Sequence, residues 1–165
     1  MVSAFTITYP DEAIGIVDAA AACDMPVAIS FTLETDGRLP SGDTLAAAIA
    51  RTDLETGSYA AYYMINCAHP THVEPALRDA GPWRDRLRGL RANASRRSHA
   101  ELDDASELDD GDPEELGCQY LGLRTVLPQL NVVGGCCGTD ERHVAAIARS
   151  LMGRGMKGAG GEAQP

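Results

Sequence analysis

Cys136 and Cys137 stand side by side, enclosed by Gly134, Gly135 and Gly138, and a third cysteine, Cys67, closes the run Ile65, Asn66. Cysteine acts on metals and on electrophiles as the thiolate, so a gathering of thiols points to metal or nucleophile chemistry. Three thiolates suit zinc, which is four-coordinate, redox-inert and bound by sulfur at about 2.3 Å. Three protein ligands leave one position open, as in catalytic zinc sites. A substrate thiol entering that position would lose its proton on coordination and become a nucleophile at neutral pH. Other uses of these residues stay open. Free cysteine is among the most buried residue types and often only packs. A vicinal pair could be a redox couple, although there is no Cys-x-x-Cys and a disulfide between neighbours is strained. Cys23 and Cys118 fall on helical segments without glycine or acidic company and are read as packing residues. His69, His72 and His143 are ligands by type, but each falls at a helix start, where a capping or solvent-facing histidine is commoner.

The thiols need elements to deliver them. Segments rich in β-branched or aromatic residues predict strands at 3–8, 27–33, 59–66, 89–94 and 130–134. A helical pattern follows each. Asp11 is expected to cap a helix carrying Ile14, Val17 and Ala21, and Asp43 one carrying Leu45 and Ile49. Thr71 is expected to start a third with Val73 and Leu77, placing Pro75 in its first turn. In the fourth, Asp112 is the N-cap, Pro113 the first helical residue and Glu115 the partner in a capping box, ahead of Leu116, Tyr120, Leu123 and Leu127. Thr139 or Asp140 opens the last, with Val144, Ile147, Ala148 and Leu151 as its apolar stripe.

Strict alternation of strand and helix predicts an α/β fold with a parallel sheet and right-handed crossovers. It fits an open doubly wound sheet or part of a (β/α)8 barrel, and both place chemistry at the carboxyl ends of strands. Cys67 and the vicinal pair each sit just past such an end, so the three thiols are expected to converge. Adjacent strand residues point to opposite faces; Cys136 and Cys137 can share a site only where the backbone turns, and the flanking glycines permit that turn. The same turn is expected to deliver the thiols to a helix N-terminus, whose partial positive charge favours thiolate. Asn66 could orient Cys67 or meet a polar group of a substrate, or simply satisfy loop backbone; Asn93 carries the same alternatives.

With 165 residues, 44% apolar and 23% charged, the chain reads as one globular domain or part of one. A formal charge of -10 argues against a nucleic-acid surface. No apolar run is long enough for a membrane span and no leader pattern is present, so a cytoplasmic address is expected. Arginines between Arg84 and Arg97, and the acidic run from Glu101 to Glu115, are read as solvated faces. Residues 1–152 form the folded domain, and the glycine-rich 153–165 is expected to be a disordered tail.

The segment from Val133 to His143 (VGGCCGTDERH) resembles the signature of the homocysteine S-methyltransferase family. Pro26 to Thr32 (PVAISFT), Gly37, Ser41 with Gly42, Asn66 with Cys67, Ala92 to Ser95 (ANAS) and Ser98 to Asp103 (SHAELD) agree with it. The resemblance covers about residues 1–152. It implies that Cys67, Cys136 and Cys137 hold Zn2+, and that homocysteine attacks an activated methyl donor to form methionine. S-methylmethionine or S-adenosylmethionine is the donor favoured. It also implies an incomplete (β/α)8 barrel comprising about the last five units, with Met1 inside the fourth strand of the family pattern. Two exposed sheet edges would then favour self-association or a partner chain. An inactive zinc-binding fragment or a split subunit is the alternative reading. The family pattern places a carboxylate before a threonine at the end of that fourth strand, to meet the substrate ammonium; here Phe5 precedes Thr6.

Overall fold

The computed structural model describes residues 1–153. Five strands, β1 (Val2–Ile7), β2 (Val27–Phe31), β3 (Tyr62–Asn66), β4 (Leu87–Ala92) and β5 (Val132–Gly135), form one sheet in the order of the chain. Every neighbouring pair is parallel. Seven helices lie between and after them: α1 (Pro10–Ala22), α2 (Leu45–Glu55), α3 (Pro70–Ala76), α4 (Trp83–Arg86), α5 (His99–Asp103), α6 (Pro113–Val126) and α7 (Glu141–Met152). Sequential order with right-handed crossovers puts the connecting helices on one face of the sheet, the arrangement of a barrel wall. The fold is therefore α/β and agrees with part of a (β/α)8 barrel. Among the described residues β1 and β5 each keep one unpaired edge.

The core lies between sheet and helices. Ile29, Phe31, Tyr63, Ile65 and Leu90 meet Val17, Ile49, Leu116, Tyr120 and Ile147, all buried. β2 is buried along its whole length, whereas β1 is exposed at most positions, as befits an edge. The opposite face carries Ser3, Phe5, Tyr62, Met64, Arg91 and Val132, which line an open groove of about 660 Å3.

Several caps differ from expectation. Tyr9 precedes α1 and Pro10 is its first residue, so Asp11 sits in the first turn instead of capping. Thr44, not Asp43, caps α2 by accepting from the Ala47 amide. His69 caps α3, which moves Pro75 beyond the first turn; the missing N–H there accompanies an early end at Ala76. Asp112 and Pro113 open α6 as expected, but Glu115 pairs with Arg96 and completes no capping box. Thus the arginine and acidic runs are not merely solvated: Arg97 meets Asp109 and Arg142 meets Asp110 across the same connection. The expected tail lies outside the described residues, apart from Gly153.

Candidate active site at the carboxyl edge of the sheet

The thiols of Cys67, Cys136 and Cys137 meet beyond the ends of β3 and β5. The Cys67 Sγ lies 3.0 Å from the Cys136 Sγ and 3.7 Å from the Cys137 Sγ. Tetrahedral coordination at a metal–sulfur distance of about 2.3 Å sets sulfurs about 3.8 Å apart. One separation already matches and the other needs less than an ångström of opening. Donor number, donor type and spacing therefore fit zinc, and these three side chains are the group that could jointly hold a metal ion among the described residues. Cys23, at the end of α1, and Cys118, on α6, stand outside this group and are exposed, so the packing role expected of them is not the one they have.

The turn that carries the vicinal pair is built by β4. The Cys136 amide donates to the Ala92 carbonyl at 2.7 Å, and the Ala94 amide to the Cys137 carbonyl at 2.9 Å. Asn93, buried between them, accepts from the Cys137 amide at 3.1 Å, so its amide orients a cysteine, one of the roles open to it. Gly138 takes a left-handed φ of 76° that closes the turn. Gly135 is needed for close approach instead, since a Cβ there would lie 2.0 Å from the Thr139 Oγ1.

Cys67 is the exception to the glycine rule. It adopts φ 53° itself, a left-handed conformation that costs an L-residue about 1–2 kcal/mol. Its amide donates to the Arg91 carbonyl at 3.2 Å. Its carbonyl accepts from the His99 Nε2 at 2.7 Å and from the Thr32 hydroxyl at 3.4 Å. The His99 Nδ1 faces the Glu34 carboxylate at 3.1 Å. Both partners of the ring are oxygens of acceptor groups. Burial works against a charged ring, but the Cys67 carbonyl and the carboxylates of Glu34 and Asp103 outweigh it and raise the His99 pKa. Neither Glu34 nor His99 was singled out from the sequence. The fragment SHAELD stood there, but nothing in its spacing ties a histidine to a loop 65 residues earlier.

The cluster shares its charge unevenly. The hydrogen bond shared by the Cys67 and Cys136 thiols, with the Cys137 and Cys67 amides, outweighs burial and brings the Cys136 pKa down to about 5. Cys67 is pushed up by the same shared bond and by burial; Cys137 is raised chiefly by burial. The N-terminus of α7, which follows the turn, is closed by its own cap. Asp140 caps α7 by accepting from the Arg142 amide, and the His143 Nδ1 accepts from the Asp140 amide.

His69, His72 and His143 are buried, not solvent-facing. His69 caps α3, and its pKa falls to about 4 through burial and the nearby charges of His72 and Arg96. The His72 Nε2 donates to the Arg96 carbonyl at 2.9 Å and the His143 Nε2 to that of Asp110 at 2.8 Å. Asn66 is bonded to its neighbours on the sheet through its Oδ1 and one of its two amide hydrogens. Its Oδ1 accepts from the Thr6 amide at 2.9 Å and the Ser30 hydroxyl at 2.7 Å, and its Nδ2 donates to the Thr6 Oγ1 at 2.8 Å. Thr6, at φ 60°, is thereby held in a conformation a β-branched residue avoids. Phe5, on the groove wall, is itself 42% exposed, with the Arg91 guanidinium 5.4 Å from its ring centre.

A parallel α/β sheet carries a three-thiol cluster past the carboxyl ends of two strands, a donor set that could hold a metal ion. A family model described as Homocysteine S-methyltransferase matches residues 1–151, and the chain belongs to that family. Membership supports a methyl-transfer role, with homocysteine and a methyl donor as the substrates it implies. No helix among the described residues is long and apolar enough to cross a membrane.

Proposed function

We propose that the protein is a zinc-dependent homocysteine S-methyltransferase in which Cys67, Cys136 and Cys137 are the metal ligands. One observation carries the reading: in a chain of this family, thiols 69 and 70 residues apart lie 3.0 and 3.7 Å from one another at the sheet's carboxyl edge. Zinc held there supplies a Lewis acid that keeps an incoming thiol deprotonated at neutral pH. The sulfur of homocysteine then forms a bond to the donor's methyl carbon while the bond from that carbon to the donor's positive sulfur breaks. The thiol proton leaves to solvent, the donor departs as a neutral thioether, and methionine is formed.

The chain's own groups do the positioning. Asn93 and Asn66 fix the strand ends behind Cys137 and Cys67. Arg91, the cationic lining residue of the groove beside Cys136, suits the carboxylate of an amino-acid substrate. A further amide hydrogen of Asn66 is the contact it can offer a substrate. S-methylmethionine or S-adenosylmethionine is the donor we favour, acting in the cytoplasm.

Metal analysis of purified protein is expected to give about one zinc per chain, lost in Cys67→Ser and Cys136→Ser, with methionine formed from homocysteine and S-methylmethionine by the wild type alone. Protein that binds no zinc at any loading overturns the reading. A second reading is favoured by the unpaired edges of β1 and β5. In it the chain binds zinc but turns over only with a partner chain or a second copy against those edges. Zinc without methionine formation in protein sedimenting at 17.4 kDa, with turnover gained only in a heavier assembly, selects it.

A further inference from the structure

We infer that Glu34 and His99 form a positioning pair whose task is to hold Cys67 in its left-handed turn and so keep its thiol on the other two. The pair deepens the metal reading above and rests on it for its consequence, though not for its geometry.

Cys67 is the ligand that must be held. Cys136 and Cys137 share one turn fixed on both sides by β4, but Cys67 comes from another strand and adopts φ 53° without being glycine. Relaxation to an ordinary φ would swing its peptide and carry the thiol away. Asn66, just before it, cannot follow, because its amide is tied to Thr6 and Ser30. What opposes relaxation is the grip on the Cys67 carbonyl. Of its two donors, the His99 Nε2 at 2.7 Å is far closer than the Thr32 hydroxyl at 3.4 Å.

The grip is itself anchored. His99 is the first residue of α5, whose entry is set by the reciprocal bonds of Ser98 and Glu101. Its ring is turned to the carbonyl by Glu34. Glu34 is steadied in turn by its own loop: its amide donates to the Arg38 carbonyl at 2.8 Å, and its carbonyl accepts from Gly37 at 2.9 Å. The pair is not explained by packing, since α5 buries no residue of its own. Cap and ring are thus separable. Removing the imidazole leaves the cap intact, and removing the cap leaves the imidazole.

The test uses the full chain as wild type, His99→Ala, His99→Gln, Glu34→Ala and Ser98→Ala. In metal-free protein the Cys67 backbone carbon shifts report its φ. His99→Ala is expected to move them to ordinary values, and in chelator competition to weaken zinc binding about 10- to 100-fold. The cobalt-substituted form should lose intensity in its visible bands as the tetrahedral site distorts. His99→Gln, which keeps an N–H donor, should recover most of both; Glu34→Ala should fall between, and reports on the pair if His99→Ala does not fold. Unchanged Cys67 shifts and zinc affinity in His99→Ala and Glu34→Ala overturn the proposal. So does an equal loss in Ser98→Ala, which would mark a general loosening of α5. If wild type itself takes up no zinc, the metal reading fails alone, and the shifts still decide the pair.

Discussion

At the scale of single residues, the site is shaped by side chains that accept or donate where backbone has none to offer. Asn66 ties three strand ends with one amide: β1 through Thr6, β2 through Ser30, and its own β3. Asn66→Ala leaves the Thr6 amide and the Ser30 hydroxyl unpaired in or near the core. The expected loss is about 2–3 kcal/mol, read as a lower urea midpoint at an unchanged slope. A midpoint equal to wild type would show that water or relaxation of Thr6 from φ 60° makes good the loss. Convergence of the thiols was legible because residue type and place at a strand end were both in the sequence. The agents that enforce it were not. Glu34 and His99 are separated from Cys67 by 33 and 32 residues in opposite directions, and a hydrogen bond to a carbonyl leaves no mark in local composition.

At the scale of elements, alternation of apolar patterns located every strand and the longer helices, because burial on one face imposes a period. Ends were harder. Asp11, Asp43 and Thr71 all have good capping chemistry, yet the helices begin at Pro10, Leu45 and Pro70. Proline at the first helical position fixed two of these starts, since its preset φ and missing N–H suit that place and few others. The short α4 and α5 were not legible at all: neither is long enough to show a period, and α5 stands on its capping box. Asp140 gives α7 a pH signature. Desolvation pushes its pKa up, but the hydrogen bonds it accepts at the cap, from the Arg142 guanidinium and amide among them, outweigh it and hold it down to about 2, below the ordinary 3.8. Because the folded value is the lower one, its contribution is complete above about pH 4 and disappears as pH falls through about 2. Hydrogen exchange at the Arg142 amide is therefore expected to accelerate over that interval, and not in Asp140→Asn, whose amide oxygen still accepts but does not titrate. Exchange that is flat with pH after correction for intrinsic rates would remove Asp140 as the controlling cap.

At the scale of the molecule, the three sulfurs join segments that are distant along the chain. Cys67 and Cys136 are 69 residues apart, so an ion between them closes a loop holding α3, α4, β4, α5, α6 and β5. By the entropy of an unfolded chain so cross-linked, such a clasp is worth on the order of 4 kcal/mol. Chelation of the zinc-loaded protein is expected to lower its melting temperature by several degrees, and to leave Cys67→Ser unmoved. Equal melting with and without chelator would mean that the segments hold together unaided. On the proposed reading, an ion that readied a thiol for methylation would also decide how long the chain survives. Zinc-starved cells would then lose this protein to proteases, because cleavage follows the population of opened chains and the clasp keeps that population small. Supply of one nutrient metal would set both the rate per molecule and the number of molecules.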